Sequence, residues 1–374
     1  MSNYNVLVTG GAGFIGSHIV DALIDKGHRV RILDSLVDQV HQGSMPAHLN
    51  PQAEFIKGDV CDADAVRCAL EGIDVVYHQA AEVGVGQSMY EIVRYVKAND
   101  LGTAVLLEEM IKDPQRYKKL VVASSMSIYG EGAYRCEGCG TKVTPQLRSN
   151  DQFAAHDWEF KCQKCGTKLN PVGTPEDKPL FPTSVYAVSK QDQEQYCLAV
   201  GRAYNIPTVA FRYFNVYGPR QALSNPYTGI CAIFSSRLMN DQAPMIFEDG
   251  LQTRDFVNVK DIARANLMAL ESDAADFEAV NIGTGRATSV LDIANLLGKG
   301  LGKTIEPNVV GKYREGDIRH CFADISKARK LMGYEPSVSL EQGLAELLGW
   351  LGNQSAEDRV ESATDELAAR SLVK

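Results

Sequence analysis

The stretch "NVLVTGGAGFIGSHIV", beginning at Asn5, constrains this chain more than any other. A β-branched run ends in Gly10, Gly13 and Gly16, and apolar residues at helical spacing follow at once. Gly10 permits a tight turn, Gly13 lets the backbone approach a pyrophosphate, and Gly16 lets helix and strand pack closely. The helix that starts there offers free N–H groups and the positive end of its dipole to phosphates. The next strand pattern, "RVRILD", ends in Asp34. A carboxylate at that point accepts the ribose hydroxyls of a dinucleotide and repels a 2′-phosphate, which selects NAD over NADP. Asp59, in "KGDV", is placed either to contact adenine or to cap its own turn.

Through residue 130, short β-branched runs alternate with amphipathic stretches, as expected of βαβ units. The fold class expected is α/β, a Rossmann-type doubly wound parallel sheet with a smaller C-terminal substrate lobe. The NAD-binding domain spans 1–212, interrupted by an insertion at 133–172 with little periodicity, and the chain returns to it within 251–283. The lobe comprises 213–250 and 284–352, and the polar segment 353–374 is either a solvated helix or a loose tail.

With 374 residues, 45% hydrophobic and 23% charged, the composition is that of a globular protein. A formal charge of −9 provides no field to attract nucleic acid or anionic lipid. No apolar run approaches the roughly 20 residues that span a bilayer, and the first residues carry no leader pattern, so a cytoplasmic protein is expected. Cys61, Cys68, Cys197, Cys231 and Cys321 are scattered singly and read as buried thiols. Cys136, Cys139, Cys162 and Cys165 instead form C-x2-C, a gap of 22 residues, and C-x2-C. Paired knuckles of this kind make a closed tetrahedral site preferring one structural zinc, with iron as the chemical rival. The insertion would be a zinc ribbon stapling a loop beside the substrate pocket.

Tyr186 and Lys190, in "SVYAVSK", lie one helical turn apart and share a face. An ammonium beside a phenol favours the phenolate, drawing a pKa of about 10 toward that of a working base. Ser125, ending "VVASS", falls at the C-terminal edge of a strand, where open α/β sheets bind ligands. Either feature alone is common in ordinary proteins; both following a complete dinucleotide motif indicate an oxidoreductive site.

The stretches "TGGAGFIG", "HQAA", "NDLGT", "SSMSIYG", "YAVSK", "RYFNVYGPRQ", "RDFVNVKDIARA", "NIGTG" and "GDIRHCFADISKARKLMGYEP" occur in that order. Together they resemble the extended short-chain dehydrogenase/reductases, specifically the NAD-dependent nucleotide-sugar epimerases and dehydratases. The resemblance implies Ser125, Tyr186 and Lys190 as catalytic. It implies Phe14, Ile15, Val60, Ala80 and Asn99 toward NAD, in addition to the glycines, the two aspartates, Tyr186 and Lys190. It implies Ser88, Ser127, Asn215, Arg254 and Arg319 toward a nucleotide diphosphate-sugar, and a homodimer formed by 91–111 and 186–204.

In the family's 4,6-dehydratases an acid pair follows the catalytic hydroxyl residue, whereas here Met126 and Ser127 do. What remains suits reversible oxidation at one carbon, as in a 4-epimerase. "VGVGQSMYEI", the four cysteines and "YFNVYGPRQALSNPYTG" are similar to dTDP-L-rhamnose 4-epimerases, while "GDIRH" also resembles UDP-N-acetylhexosamine 4-epimerases. A net dehydrogenase or reductase of such a sugar is the alternative enzyme, and an NAD-sensing regulator the alternative from another class.

Overall fold

The computed structural model describes residues 3–374. β1 (Asn5–Thr9), β2 (Arg29–Asp34), β3 (Glu54–Lys57), β4 (Val75–His78), β5 (Lys119–Ser125), β6 (Thr208–Tyr213) and β7 (Glu278–Ile282) form one parallel sheet. Its order is β7-β6-β5-β4-β1-β2-β3. Side chains alternate between faces along each strand, and both faces are covered: Val6, Val8, Ile32, Val121 and Phe211 enter one core, Leu7, Leu33, Val76, Leu120 and Val122 the other. The strand order reverses between β1 and β4, which opens a crevice at their C-terminal ends.

After β6 the chain leaves for the lobe, returns as helix Val259–Glu271 and β7, and leaves again. Helix Val259–Glu271 packs on helix Phe14–Asp25, so the return belongs to the sheet domain. The lobe has its own core, in which Phe234 and Leu238, Ile293 and Leu297, and Leu344 and Leu347 come from three helices. The last of these, Leu340–Leu351, opens with a capping box between Ser339 and Gln342.

The insertion is more regular than its sequence suggested. Ala133–Cys136 pairs with Lys142–Val143 on one side and Leu169–Val172 on the other, and a short helix covers Asn150–Ala154. Its buried core is only Tyr134, Cys136, Phe160, Cys162 and Leu169, too small to specify a domain unaided. Charge anchors it to the lobe. Arg148, fully buried, forks onto Glu248 at 2.7 and 2.8 Å. Arg319, also fully buried, donates to Glu159 of the insertion at 2.6 Å, to Glu248 at 3.0 Å and to Asp249 at 2.6 Å.

The segment 353–374 is neither loose nor solvated all round. It contains helix Val360–Ala369, which buries Ala363 and Leu367, and Val373 then pairs antiparallel with Arg314.

Removing Arg319 takes a partner from three carboxylates at once: Glu248 keeps Arg148 and Glu159 keeps Lys168 and His320, while Asp249 is left with no cation. Arg319→Ala is expected to cost about 3–5 kcal/mol in denaturant unfolding, the range for breaking a buried pair. Burial pushes the Glu159 carboxyl up, but His320 and Arg319 pull it down to about 2. A carboxyl depressed in the folded state stabilises above its unfolded pKa, near 4.3, and that contribution disappears as pH falls toward 2. Acid titration of Arg319→Ala should show a smaller component of this kind, since His320 still lowers Glu159; an unchanged acid midpoint would count against it.

Candidate active site

The C-terminal ends of β1, β2, β4 and β5 face the lobe across a cavity of about 660 Å³. On the sheet side, Gly10 adopts a left-handed φ of +68°, and a Cβ there would lie 2.7 Å from the Ala80 nitrogen. A Cβ on Gly16 would lie 2.2 Å from the Gly10 carbonyl oxygen. Only glycine allows these loops to meet. Helix Phe14–Asp25 begins at Gly13 with no side-chain cap, leaving its first-turn N–H groups to an anion. The Asp34 carboxylate stands at the end of β2, oriented by N–H groups of Ala12 (3.0 Å) and Leu36 (2.9 Å). Phe14, Ile15, Asp59, Val60 and Ala80 line the same cavity. Asp59 also caps its own turn by accepting the Cys61 N–H. This cradle fits a dinucleotide. Asn99 is placed differently: fully buried off the cavity, it pairs with the N–H and carbonyl of Glu82 and donates to Ser189 Oγ. It fixes the loop after β4 rather than facing a cofactor.

The opposite wall is helix Val185–Tyr204, capped by the Ser184 hydroxyl. Tyr186, Lys190, Gln193 and Glu194 recur at intervals of four, seven and eight, which puts them on one face. Ser125 Oγ at the end of β5 accepts the N–H of Ser127 at 3.2 Å and its hydroxyl at 2.9 Å. Ser125, Ser127, Tyr186 and Lys190 all reach the cavity. Ser88 does not: fully buried, it accepts the Tyr186 backbone N–H at 3.0 Å and donates to the Val85 carbonyl at 2.7 Å. The expected sugar contact is instead a clamp on the turn bearing Tyr186.

Electrostatics here also depart from the sequence expectation. Burial raises the Tyr186 phenol, and the group that draws it down is the Ser125 hydroxyl. The Lys190 ammonium donates to Gln193 Oε1 at 2.8 Å, and burial lowers it to about 7. Without a ligand, then, the lysine is close to losing its proton rather than holding the tyrosine as phenolate.

On the lobe side, Asn215 and Arg254 line the cavity as expected. Asn215 Oδ1, Gln79 Nε2 and Gln252 Oε1 are buried against it without a protein partner, which suits a polar ligand. Arg319 is the main correction. Its guanidinium is spent on Glu159, Glu248 and Asp249, and it does not reach the cavity. The arginine that lines the cavity beside Arg254 is Arg314, its guanidinium over the Phe247 ring at 4.8 Å and paired with Asp317 at 2.8 Å. Both arginines stand in "REGDIR", five positions apart, and the sequence offered no sign of which faced inward.

No residue of 133–172 lines the cavity, so the insertion does not border it directly. Phe153 stacks on Tyr313 at 4.4 Å, and Arg148 donates to the Asp317 carbonyl at 3.2 Å, bracing the segment that carries Arg314. The Cys136, Cys139, Cys162 and Cys165 sulfurs all lie within 4.8 Å of one another, with Cys136 and Cys165 at 3.3 Å and Cys139 and Cys162 at 3.7 Å. Tetrahedral S4 ligation at about 2.3 Å per bond needs sulfurs roughly 3.8 Å apart, so the cluster fits a metal of that kind.

The pattern of the NAD dependent epimerase/dehydratase family matches residues 6–156, and that of GDP-mannose 4,6 dehydratase matches 166–347. The chain is 37% identical to a dTDP-L-rhamnose 4-epimerase of Burkholderia thailandensis over 93% of its own length and 95% of the relative's. It superposes on the UDP-glucose 4-epimerase of Thermotoga maritima, solved with UDP-glucose, with a TM-score of 0.75 and 34% identity, covering 93% and 98% of the two chains. It superposes likewise on the UDP-glucuronic acid 4-epimerase of Bacillus cereus, solved with UDP-glucuronic acid and NAD: TM-score 0.76, 31% identity, 93% and 99% covered.

A lysine lowered by folding costs stability wherever the unfolded chain would bind the proton more tightly, and that cost fades as pH rises from about 7 to about 10. Lys190→Met, stripped of nucleotide, should therefore melt several degrees above the unsubstituted protein near pH 7. The gap should close toward pH 10 even though activity is lost; a lower melting temperature at both values would contradict the buried-cation account.

Proposed function

The chain belongs to the NAD-dependent epimerase/dehydratase family of extended short-chain dehydrogenase/reductases, and on that premise we propose that it is a nucleotide-sugar 4-epimerase. The observation that carries the proposal is the cavity wall itself. Ser125, Tyr186 and Lys190 converge there, while the carboxylates that reach it are already engaged: Asp34 with the Ala12 and Leu36 N–H groups, Asp59 with the Cys61 N–H, Glu82 with Arg94, Asp317 with Arg314, Glu315 with Lys374. Eliminating water needs an acid and a base beyond the tyrosine, and Met126 and Ser127 supply neither.

NAD, held by the Gly10–Gly16 loop and Asp34, supplies the acceptor and later the donor of one hydride. Tyr186 takes the C4 hydroxyl proton as that carbon is oxidised and returns it when the 4-keto sugar is reduced on its other face. Ser125 holds the reacting oxygen in line with the phenol. Lys190, recharged beside an anionic ligand, supports the phenolate. Arg254 and Arg314 are the arginines of the cavity wall, Arg254 held by the carbonyls of Thr253, Ile318 and Arg319 and Arg314 by Asp317, and a diphosphate would draw on their remaining N–H groups. The identity to a dTDP-L-rhamnose 4-epimerase makes dTDP-L-rhamnose the first substrate to test.

The four cysteines would hold one zinc, closed to water, that stiffens the ribbon without acting as a Lewis acid. A homodimer is supported by apolar side chains left exposed on both expected faces, Ile92, Val93, Val96 and Leu101 beside Val188, Tyr196 and Tyr204. Of the five scattered cysteines, Cys197, Cys231 and Cys321 are buried as expected, whereas Cys61 is half-buried and Cys68 exposed; all five are unpaired, which favours a cytoplasmic setting.

Incubation with a panel of dTDP- and UDP-sugars, read by NMR at C4, should show epimer formation without net NADH; stoichiometric NADH would mark a dehydrogenase instead. Tyr186→Phe should retain NAD and lose at least 99% of turnover. Arg314→Ala should raise KM tenfold or more with little change in NAD content, and an unaltered KM would remove it from the diphosphate site. Elemental analysis should give one zinc per chain, lowered by each Cys→Ser change.

A further inference from the structure

The family match ends at residue 347, yet the cavity is not complete there. Helix Val360–Ala369 presents Val360, Ala363, Thr364 and Leu367 to it at intervals of three, four and seven, one helical face, and Leu372 follows. The Thr364 hydroxyl is turned back onto the Val360 carbonyl at 2.8 Å, so the face is apolar in effect.

The helix is pinned at both ends and on both sides of the cleft. On the lobe, nearly buried Arg237 pairs with Asp358 at 3.2 Å and Glu361 at 3.1 Å, and Ser224 Oγ accepts the Glu357 N–H at 3.0 Å. On the sheet domain, Leu367 lies over Gly86, 3.3 Å from where a Cβ would stand. Glu366 accepts the hydroxyls of Tyr90 at 3.2 Å and Tyr227 at 3.3 Å, and these hydroxyls lie 2.6 Å from each other. The chain end then pairs with the segment carrying Arg314 through Tyr313 and Lys374, each N–H meeting the other's carbonyl at 2.9 Å.

Packing connects this segment to the reacting end of the cavity. The Tyr95 ring stands edge-on to Tyr186 at 6.4 Å, and its hydroxyl and Tyr227 both close on Gly84, each 2.9 Å from where a Cβ would stand. The segment therefore covers the loop that backs Tyr186.

Resting on the reading of the cavity as a nucleotide-sugar site, we propose that segment 358–374 is the specificity wall at its sugar end. Its face of Val360, Ala363, Leu367 and Leu372 accommodates a sugar edge that is uncharged and deoxygenated. It disfavours a carboxylate, which would lose its water without gaining a partner from this wall.

Two experiments test this. A chain ending at Gly352, and full-length Leu367→Ala as the milder variant, should retain NAD. For the truncated chain, kcat/KM for a dTDP-6-deoxyhexose relative to a UDP-hexuronate should fall at least tenfold, chiefly through KM of the deoxy sugar; for Leu367→Ala the fall should be about threefold. Unchanged discrimination in both would overturn the proposal. In hydrogen exchange of the intact, NAD-loaded chain, dTDP-L-rhamnose should slow amides across 360–372 more than dTDP alone does. Equal effects of the two ligands, or none, would also overturn it. An intact chain that epimerises no nucleotide-sugar defeats the functional reading, whereas normal epimerisation with unchanged discrimination after truncation defeats this one alone.

Discussion

A buried ion pair positions the wall of the cavity that carries Ser125, Tyr186 and Lys190. Glu194, fully buried, accepts two bonds from Arg212 of β6 at 2.6 and 2.9 Å and a third from the Ser124 hydroxyl of β5 at 2.7 Å. Glu194 is one turn beyond Lys190 and two beyond Tyr186 on the same helix face, and Ser124 immediately precedes Ser125. One carboxylate thus fixes the rotation of the helix and its height against the strand end. Arg212 continues the network through the Tyr129 hydroxyl to Asn281 of β7. Such a pair gains little net energy over an apolar substitute, but breaking it is costly and its geometry is unique, so its value here is registration.

The same logic governs the lobe, with the charges reversed in role. Two buried guanidinium groups, Arg148 and Arg319, gather Glu159, Glu248 and Asp249 behind the segment that carries Arg314. The insertion is therefore an external brace: its four cysteine sulfurs cluster between its two knuckles, Phe153 stacks on Tyr313, and none of its residues lines the cavity. A loop of about forty residues has too little apolar content to hold that position by burial alone, which is why charge and four sulfurs recur in it.

Much of the fold was legible. The glycine loop, the strand that precedes it and the acid that ends the next strand specify backbone conformations few other sequences satisfy, and the parallel sheet follows from their alternation. The tyrosine and lysine were legible because i and i+4 share a helix face whatever surrounds the helix. Arg314 and the clamp role of Ser88 were not, since neither has a local signature: one of two nearby arginines turns inward, and a serine two residues from a pocket residue is spent on a backbone N–H. The terminal segment was also obscure. Its apolar positions are few and become a face only when Gly86 and the two tyrosines supply the surface they cover.

Sequence alone determined what depends on local chemistry: the turn at Gly10, the anion-ready helix end, the shared face of Tyr186 and Lys190, and the paired knuckles. Tertiary structure alone decided what depends on separations across the chain. It set which charges are consumed in pairing and which are left for a ligand, because a guanidinium in contact with three carboxylates is no longer available to a phosphate. It also set the protonation balance of the site, because burial draws Lys190 down and Tyr186 up, opposite to the effect of simple adjacency in water.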